Sequence, residues 1–95
     1  MPTIEMIKKA VGETAAMYPI RRIELFGSYA NGTADDDSDV DLLVEFSEQP
    51  ISLIKLCGFR EKVAEQLHSD VDIVKLPLSS DSGLLIERTV KLYGA

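Results

Sequence analysis

A chain of 95 residues with a formal net charge of -6 suffices for one domain with a modest core but not for a separate substrate domain, so elaborate chemistry has to be shared with a partner. Its 45% hydrophobic and 27% charged residues are ordinary globular composition, without repeats or low-complexity tracts. The acidic balance argues against a nucleic-acid binder that tracks phosphates with a basic face, the lone Cys57 rules out an internal disulfide, and no N-terminal stretch is apolar enough for a signal peptide or membrane span; a cytoplasmic protein is expected.

From Ile4 to Met17 the apolar residues Ile4, Ile7, Ala10, Val11, Ala15 and Met17 recur mostly at helical spacing, with Thr3 as N-cap and Pro19 beyond the end. IRRIELFG then reads as a strand that stops at Gly27. Ser28 is expected to cap a short helical turn, YANG, that Gly32 closes in a left-handed conformation. TADDDSD is polar loop, and Val40 to Phe46 is a second strand. Alternation puts Val40, Leu42, Val44 and Phe46 on the core face and Asp39, Asp41, Leu43 and Glu45 on the other. After Gln49-Pro50, a helix carries Leu53, Leu56, Cys57, Val63, Ala64 and Leu67 as its apolar stripe, with Gly58 a weak point within it. Cys57 on that stripe reads as a small buried hydrophobe. Val71 to Leu76 is a third strand ended by Pro77, and a last helix is expected from about Ser82 to Tyr93, with Leu84, Leu85, Arg88, Leu92 and Tyr93 as its contacts. The fold class is α/β (α+β): a small sheet of about three strands packed against helices, in a single domain over residues 1–95.

Acid on a core strand needs a reason. Asp39 and Asp41 are two residues apart and point the same way, and two carboxylates that close repel by about 4 kcal/mol at an effective dielectric of about 20. Asp72, in SDVDIVKL, adds a third carboxylate on another strand; Asp70 is the alternative, less favoured because Val71 and Ile73 bracket Asp72 within the apolar run. Three converging carboxylates form a hard oxygen site suited to Mg²⁺, which completes its shell with water and substrate phosphates. Gly27-Ser28 supplies a turn that a phosphate can approach closely. Together they point to a nucleoside triphosphate held by its phosphates against two metal ions.

Rival readings of the same residues fare worse. An EF-hand over Asp35, Asp37 and Asp39 fails because Val40 stands where glycine is required and Phe46 where a bidentate glutamate belongs. A dinucleotide fold fails because Gly27 lacks GxGxxG companions. Asp35, Asp36 and Asp37 read as solvated loop, Glu45 as an exposed strand position and His68 as a surface or capping residue. Tyr29 suits stacking near a nucleotide and core packing about equally, and Arg21 and Arg22 suit phosphate or partner acids alike.

Gly27-Ser28, ten intervening residues and then Asp39-Val40-Asp41 resemble the signature of the DNA polymerase beta type nucleotidyltransferase superfamily. GSYANGTADDDSDVDLLVEF looks like its minimal nucleotidyltransferase branch, and the likeness extends through VDIVKL and LIERTVKLYG. In that family the glycine-serine pair contacts the triphosphate, the first two aspartates hold both metals, and the third helps hold the catalytic metal and draws the proton from the acceptor hydroxyl. The resemblance puts these roles on Gly27, Ser28, Asp39, Asp41 and Asp72. It implies two Mg²⁺ ions, ATP as the nucleotide, and an antitoxin that transfers AMP to a tyrosine of a small helical HEPN-type ribonuclease toxin, in a homo- or hetero-oligomer. A non-catalytic antitoxin that neutralises its toxin by covering it is the second reading. One departure stands out: members usually carry arginine after GSxA, where this chain has Asn31.

Overall fold

The computed structural model describes residues 2–48, 50–76 and 88–94. Helix α1 spans Ile4–Ala15, and the expected cap forms: the Thr3 side chain accepts a hydrogen bond from the Met6 N–H at 3.1 Å. Ile7, Ala10, Val11 and Ala15 make its buried stripe. The helix stops two residues before the expected Met17, where the N–H groups of Met17 and Tyr18 fold back to the carbonyls of Thr14 and Ala15 and leave Met17 exposed. Thr14, buried on the same helix, has its hydroxyl satisfied by the Gln66 side-chain amide at 3.1 Å.

Strand β1 (Ile20–Phe26) leads through the one-turn helix α2 (Ser28–Asn31) to strand β2 (Val40–Phe46), which runs antiparallel to it. Helix α3 (Leu53–Leu67) then crosses over to strand β3 (Val71–Leu76), parallel to β2. A parallel neighbour cannot be reached by a hairpin, which is why a whole helix intervenes. The sheet has a fourth strand, β4 (Val90–Tyr93), antiparallel to β1, and its order is β3-β2-β1-β4. The expected last helix over Ser82–Tyr93 is therefore corrected at its end; residues 82–87, with Leu84 and Leu85, and Pro77 lie outside the described residues. The physical reason is the edge of β1, whose backbone groups VKLY satisfies by pairing while Leu92 drops into the core. Thr89 fastens the start of β4, its hydroxyl donating to Glu24 Oε1 at 3.2 Å.

The core lies between α1, α3 and the sheet face formed by Ile23, Leu25, Val40, Leu42, Val44 and Phe46, as the alternation in β2 requires. On α3 the observed stripe is Phe59, Val63 and Leu67 at helical i, i+4, i+8 spacing, with Leu56 and Ala64 at its margin. Two expected members do not belong to it: Leu53 is 73% exposed, and Cys57 is only half-buried. Gly58 is less a weak point than a gap, since a Cβ there would stand 2.9 Å from Tyr18 Oη. Tyr18 uses that gap to pack edge-on against Phe59, with Lys62 over its ring.

The opposite sheet face holds Asp41, Leu43 and Glu45 in register with Phe26, Glu24 and Arg22 on one side and with Asp72, Val74 and Leu76 on the other. It is not wholly solvated, because Leu43 and Phe26 are buried there. Glu45 is tied to Arg22 at 2.8 Å and Arg21 at 3.4 Å, so it closes a surface ion-pair cluster. No helix among the described residues is long and apolar enough to cross a membrane.

Candidate active site

The register of the sheet assembles the site. Phe26, the last residue of β1, lies opposite Asp41, and Asp41 lies opposite Asp72. Gly27 follows immediately, so the glycine-serine turn is delivered to the same end of the sheet as the two carboxylates. Adjacent strands stand about 4.8 Å apart, which places Asp41 between the turn and Asp72. Asp39 comes two residues before Asp41, and the intervening Val40 is fixed by its N–H donating to the Asp70 carbonyl at 2.9 Å. The same register puts Asp72, and not Asp70, beside Asp41; Asp70 precedes β3, and its carbonyl is what secures β2.

Gly27 is where backbone and carboxylate meet. It has φ 76° and ψ -152°, a combination open essentially to glycine alone. A Cβ built on it would fall on Asp41 Oδ2, so any side chain here would displace the carboxylate. The expected Ser28 cap is corrected: Gly27 occupies the N-cap of α2 without a side-chain hydrogen bond, and Ser28 is the first helical residue. The chain reaches Ser28 already turned, so the hydroxyl is not consumed by the helix start. Gly32 does end α2 in the left-handed conformation at φ 77°.

Electrostatically the site is underneutralised. Among the described residues no Lys or Arg forms an ion pair with Asp39, Asp41 or Asp72. Burial pushes the Asp41 pKa above the usual carboxylate range, and the charges of Asp72 and then Asp39 push it further. Among the described residues no three acidic, histidine or cysteine side chains form a ready-made metal-ligand group, so the expected convergence of three carboxylates is not assembled here; the register sets Asp41 beside Asp72, and Mg²⁺ takes one or two carboxylates plus water and substrate phosphates. Hard oxygen donors, a carboxylate with a raised proton affinity and a turn kept free of side chain all fit such an ion.

The surrounding loop is more ordered than a solvated acidic run. Asp35 Oδ1 accepts from the Asp37 N–H at 2.9 Å and from the Ser38 hydroxyl at 3.2 Å, which folds the loop back before Asp39. His68 is the left-handed C-cap of α3 at φ 53°, as a capping reading expects. Tyr29 is packed in the core and not free to stack; burial first, then Asp36 and Asp35, raise its pKa, against an opposing hydrogen bond from Ser69. Two clefts flank the carboxylates, one of about 520 Å³ between Asp36, Asp39, His68 and Asp70 and one of about 400 Å³ between Asp39, Arg60, Glu61 and Asp72. Arg60 and Glu61 are the residues that the sequence did not single out. Their only signal is a position on the polar side of α3 one turn before Ala64, which acquires meaning once β3 lies alongside.

A family model described as a nucleotidyltransferase domain matches residues 5–92. The protein adenylyltransferase MntA of Thermococcus cleftensis is 44% identical over 62 residues, which is 65% of this chain and 62% of that protein, so the chain spans about three fifths of the relative's length. Among solved structures, a toxin-antitoxin crystallised with AMP-PNP superposes with a TM-score of 0.63 at 26% identity, over 97% of this chain and 70% of that one. A tri-AMPylated Shewanella oneidensis HEPN toxin in complex with MNT antitoxin gives a TM-score of 0.68 at 23% identity, over 96% and 72%, a likeness of fold.

Proposed function

The chain belongs to the nucleotidyltransferase domain family, and from that premise we propose that it is an antitoxin that transfers AMP from ATP to a tyrosine hydroxyl of a HEPN-type toxin, in a magnesium-dependent reaction in the cytoplasm. Residues 1–95 act as one minimal nucleotidyltransferase domain. The observation that carries this reading is the juxtaposition of the Gly27 turn with Asp41, in register with Asp72. The naming of the Thermococcus relative as a protein adenylyltransferase supports the nucleotide and the protein acceptor.

Each residue has a task in that reaction. The Gly27-Ser28 turn receives the triphosphate, because no Cβ bars its approach and the first amides of α2 lack helical acceptors. Asp39 and Asp41 would hold two Mg²⁺ ions and Asp72 would share one of them. When bound, such ions neutralise charge on the triphosphate and favour ionisation of the attacking hydroxyl. Asp72, at the β3 side away from the turn, takes the proton of the acceptor hydroxyl. The acceptor oxygen forms a bond to the α-phosphorus, the bond from that phosphorus to the bridging oxygen breaks, and pyrophosphate leaves.

Mass spectrometry of the cognate toxin after incubation with this protein, Mg²⁺ and ATP tests the reading. One or more AMP units should appear on a toxin tyrosine, and none with Asp39→Asn/Asp41→Asn. A toxin that stays unmodified yet is silenced in a tight complex would establish the second reading, neutralisation by binding alone. Asn31 favours that alternative: it is exposed at the end of α2, where it brings no cation to the phosphates.

A further inference from the structure

We infer that Arg60 is an acceptor-binding residue: its guanidinium takes the aromatic ring of the acceptor tyrosine on the Asp72 side of the site and so selects an aromatic over an aliphatic hydroxyl. The inference rests on the reaction proposed above and names the side chain that meets its acceptor.

Helix α3 carries three cations, Lys55, Arg60 and Lys62. Two are occupied: Lys55 reaches Glu48 at 2.9 Å, and Lys62 stands 5.4 Å from the centre of the Tyr18 ring. Arg60 is exposed and, among the described residues, forms no ion pair. It stands one helical turn before Ala64, and both line the cleft of about 400 Å³ that holds Asp39, Asp70 and Asp72. Among the described residues, no other lysine or arginine lines either cleft beside the carboxylates.

Position decides which substrate this cation meets. Gly27 follows β1, whereas Asp72 lies on β3 with β2 between them, and neither Gly27 nor Ser28 lines the Arg60 cleft. A triphosphate at the turn and the guanidinium are thus on opposite sides of Asp41, and the substrate that comes to Asp72 is the acceptor. Charge then decides what Arg60 can take from it. Asp39, Glu61, Asp70 and Asp72 line the same cleft, so a partner's carboxylate, the usual mate of an arginine, is repelled there. A phenol ring is neutral, offers its negative face to the guanidinium plane, and carries the hydroxyl whose proton Asp72 takes. Serine and threonine offer no such face. As the proton leaves, negative charge gathers on the phenol oxygen in a cleft otherwise lined by acid, and Arg60 offsets it.

The test uses Arg60→Gln and Arg60→Lys, which should fold as the wild type does because the side chain is exposed. N-acetyltyrosinamide is first titrated into the protein with Mg²⁺ and without ATP, while NMR follows the Arg60 Nε–H. That resonance should move, and N-acetylserinamide should leave it in place. In transfer assays on the cognate toxin, Arg60→Gln should lower kcat/KM for the toxin about tenfold with KM for ATP unchanged. Arg60→Lys should recover only part of the loss, since an ammonium keeps the charge but lacks the plane. A resonance unmoved by the tyrosine probe, or moved equally by both probes, overturns the assignment. Unchanged kinetics in Arg60→Gln overturn it as well, and a raised KM for ATP alone overturns it by placing Arg60 on the nucleotide. If the wild-type protein transfers nothing, the reaction proposed above fails, and the probe titration still decides whether Arg60 takes a phenol.

Discussion

At the scale of single residues, the site depends on one absent side chain and one crowded charge. Gly27→Ala should cost about 1–3 kcal/mol from its backbone conformation and, by driving a Cβ into Asp41, should also abolish ATP binding. Gly32→Ala is the control, because its φ is equally positive but nothing lies within 4 Å of the added Cβ; calorimetry should find it destabilised yet still able to bind ATP. Asp41 gives a pH signature. Its folded pKa is raised, so the folded chain holds that proton more tightly than the unfolded one, and the resulting stability is present below about pH 3.9 and lost as pH rises through the folded value. Asp41→Asn should therefore raise the thermal midpoint of the metal-free protein at pH 7 and flatten its decline between acid and neutral pH. For the wild type, Mg²⁺ affinity should weaken as pH falls through the same window, since the ion must displace the proton. An Asp41→Asn midpoint equal to the wild type at pH 7 would show that burial and the neighbouring charges of Asp72 and Asp39 do not destabilise the ionised Asp41.

At the scale of elements, packing decided what local pattern did not. Helix α3 offers a test where it meets the turn between α1 and β1: Gly58→Ala gains about 1 kcal/mol of helix propensity but presses on Tyr18 Oη. In a Tyr18→Phe background, where that oxygen is gone, the substitution should be stabilising by about that amount, and urea denaturation of the four-member cycle measures it. Phe59→Ala should cost about 3–5 kcal/mol, because the ring is fully buried at the start of the helical stripe. The same residues show how far sequence reasoning reaches. Alternation in VDLLVEF was readable because β2 has one core face, and the Asp39/Asp41 pair stood out as acid inside an apolar run. The phase of α3 was less readable, since Leu53 and Ile54 are apolar but lie at the exposed start of the helix, 73% and 85% accessible, while Phe59 carries the stripe. VKLY on its own does not announce a strand because four residues hold too little periodicity, and its strand state is set by the β1 edge 65 residues earlier in the chain, as Glu24 and Thr89 illustrate. Cross-strand register, which chose Asp72 over Asp70 as the neighbour of Asp41, is likewise a property of pairing and not of composition.

At the scale of the whole molecule, Asp39 and Asp72 line a cleft with Arg60 and Glu61, and in the proposed reaction this is where the partner would present its acceptor. Asn31→Arg should then lower KM for ATP if the missing cation limits nucleotide capture, with steady-state kinetics against the cognate toxin as the measurement; an unchanged KM would assign the phosphates to the turn alone. The strand order has a further consequence for synthesis on the ribosome. Residues 20–76, which hold Asp39, Asp41, Asp72 and the glycine-serine turn, are made before Val90–Tyr93 leaves the exit tunnel. During that interval the nascent chain has its chemistry in sequence but the outer edge of β1 lies bare, open to any strand that meets it. Arrival of β4 covers that edge, so the backbone of β1 is withdrawn from foreign strands by the latest made of the described strands.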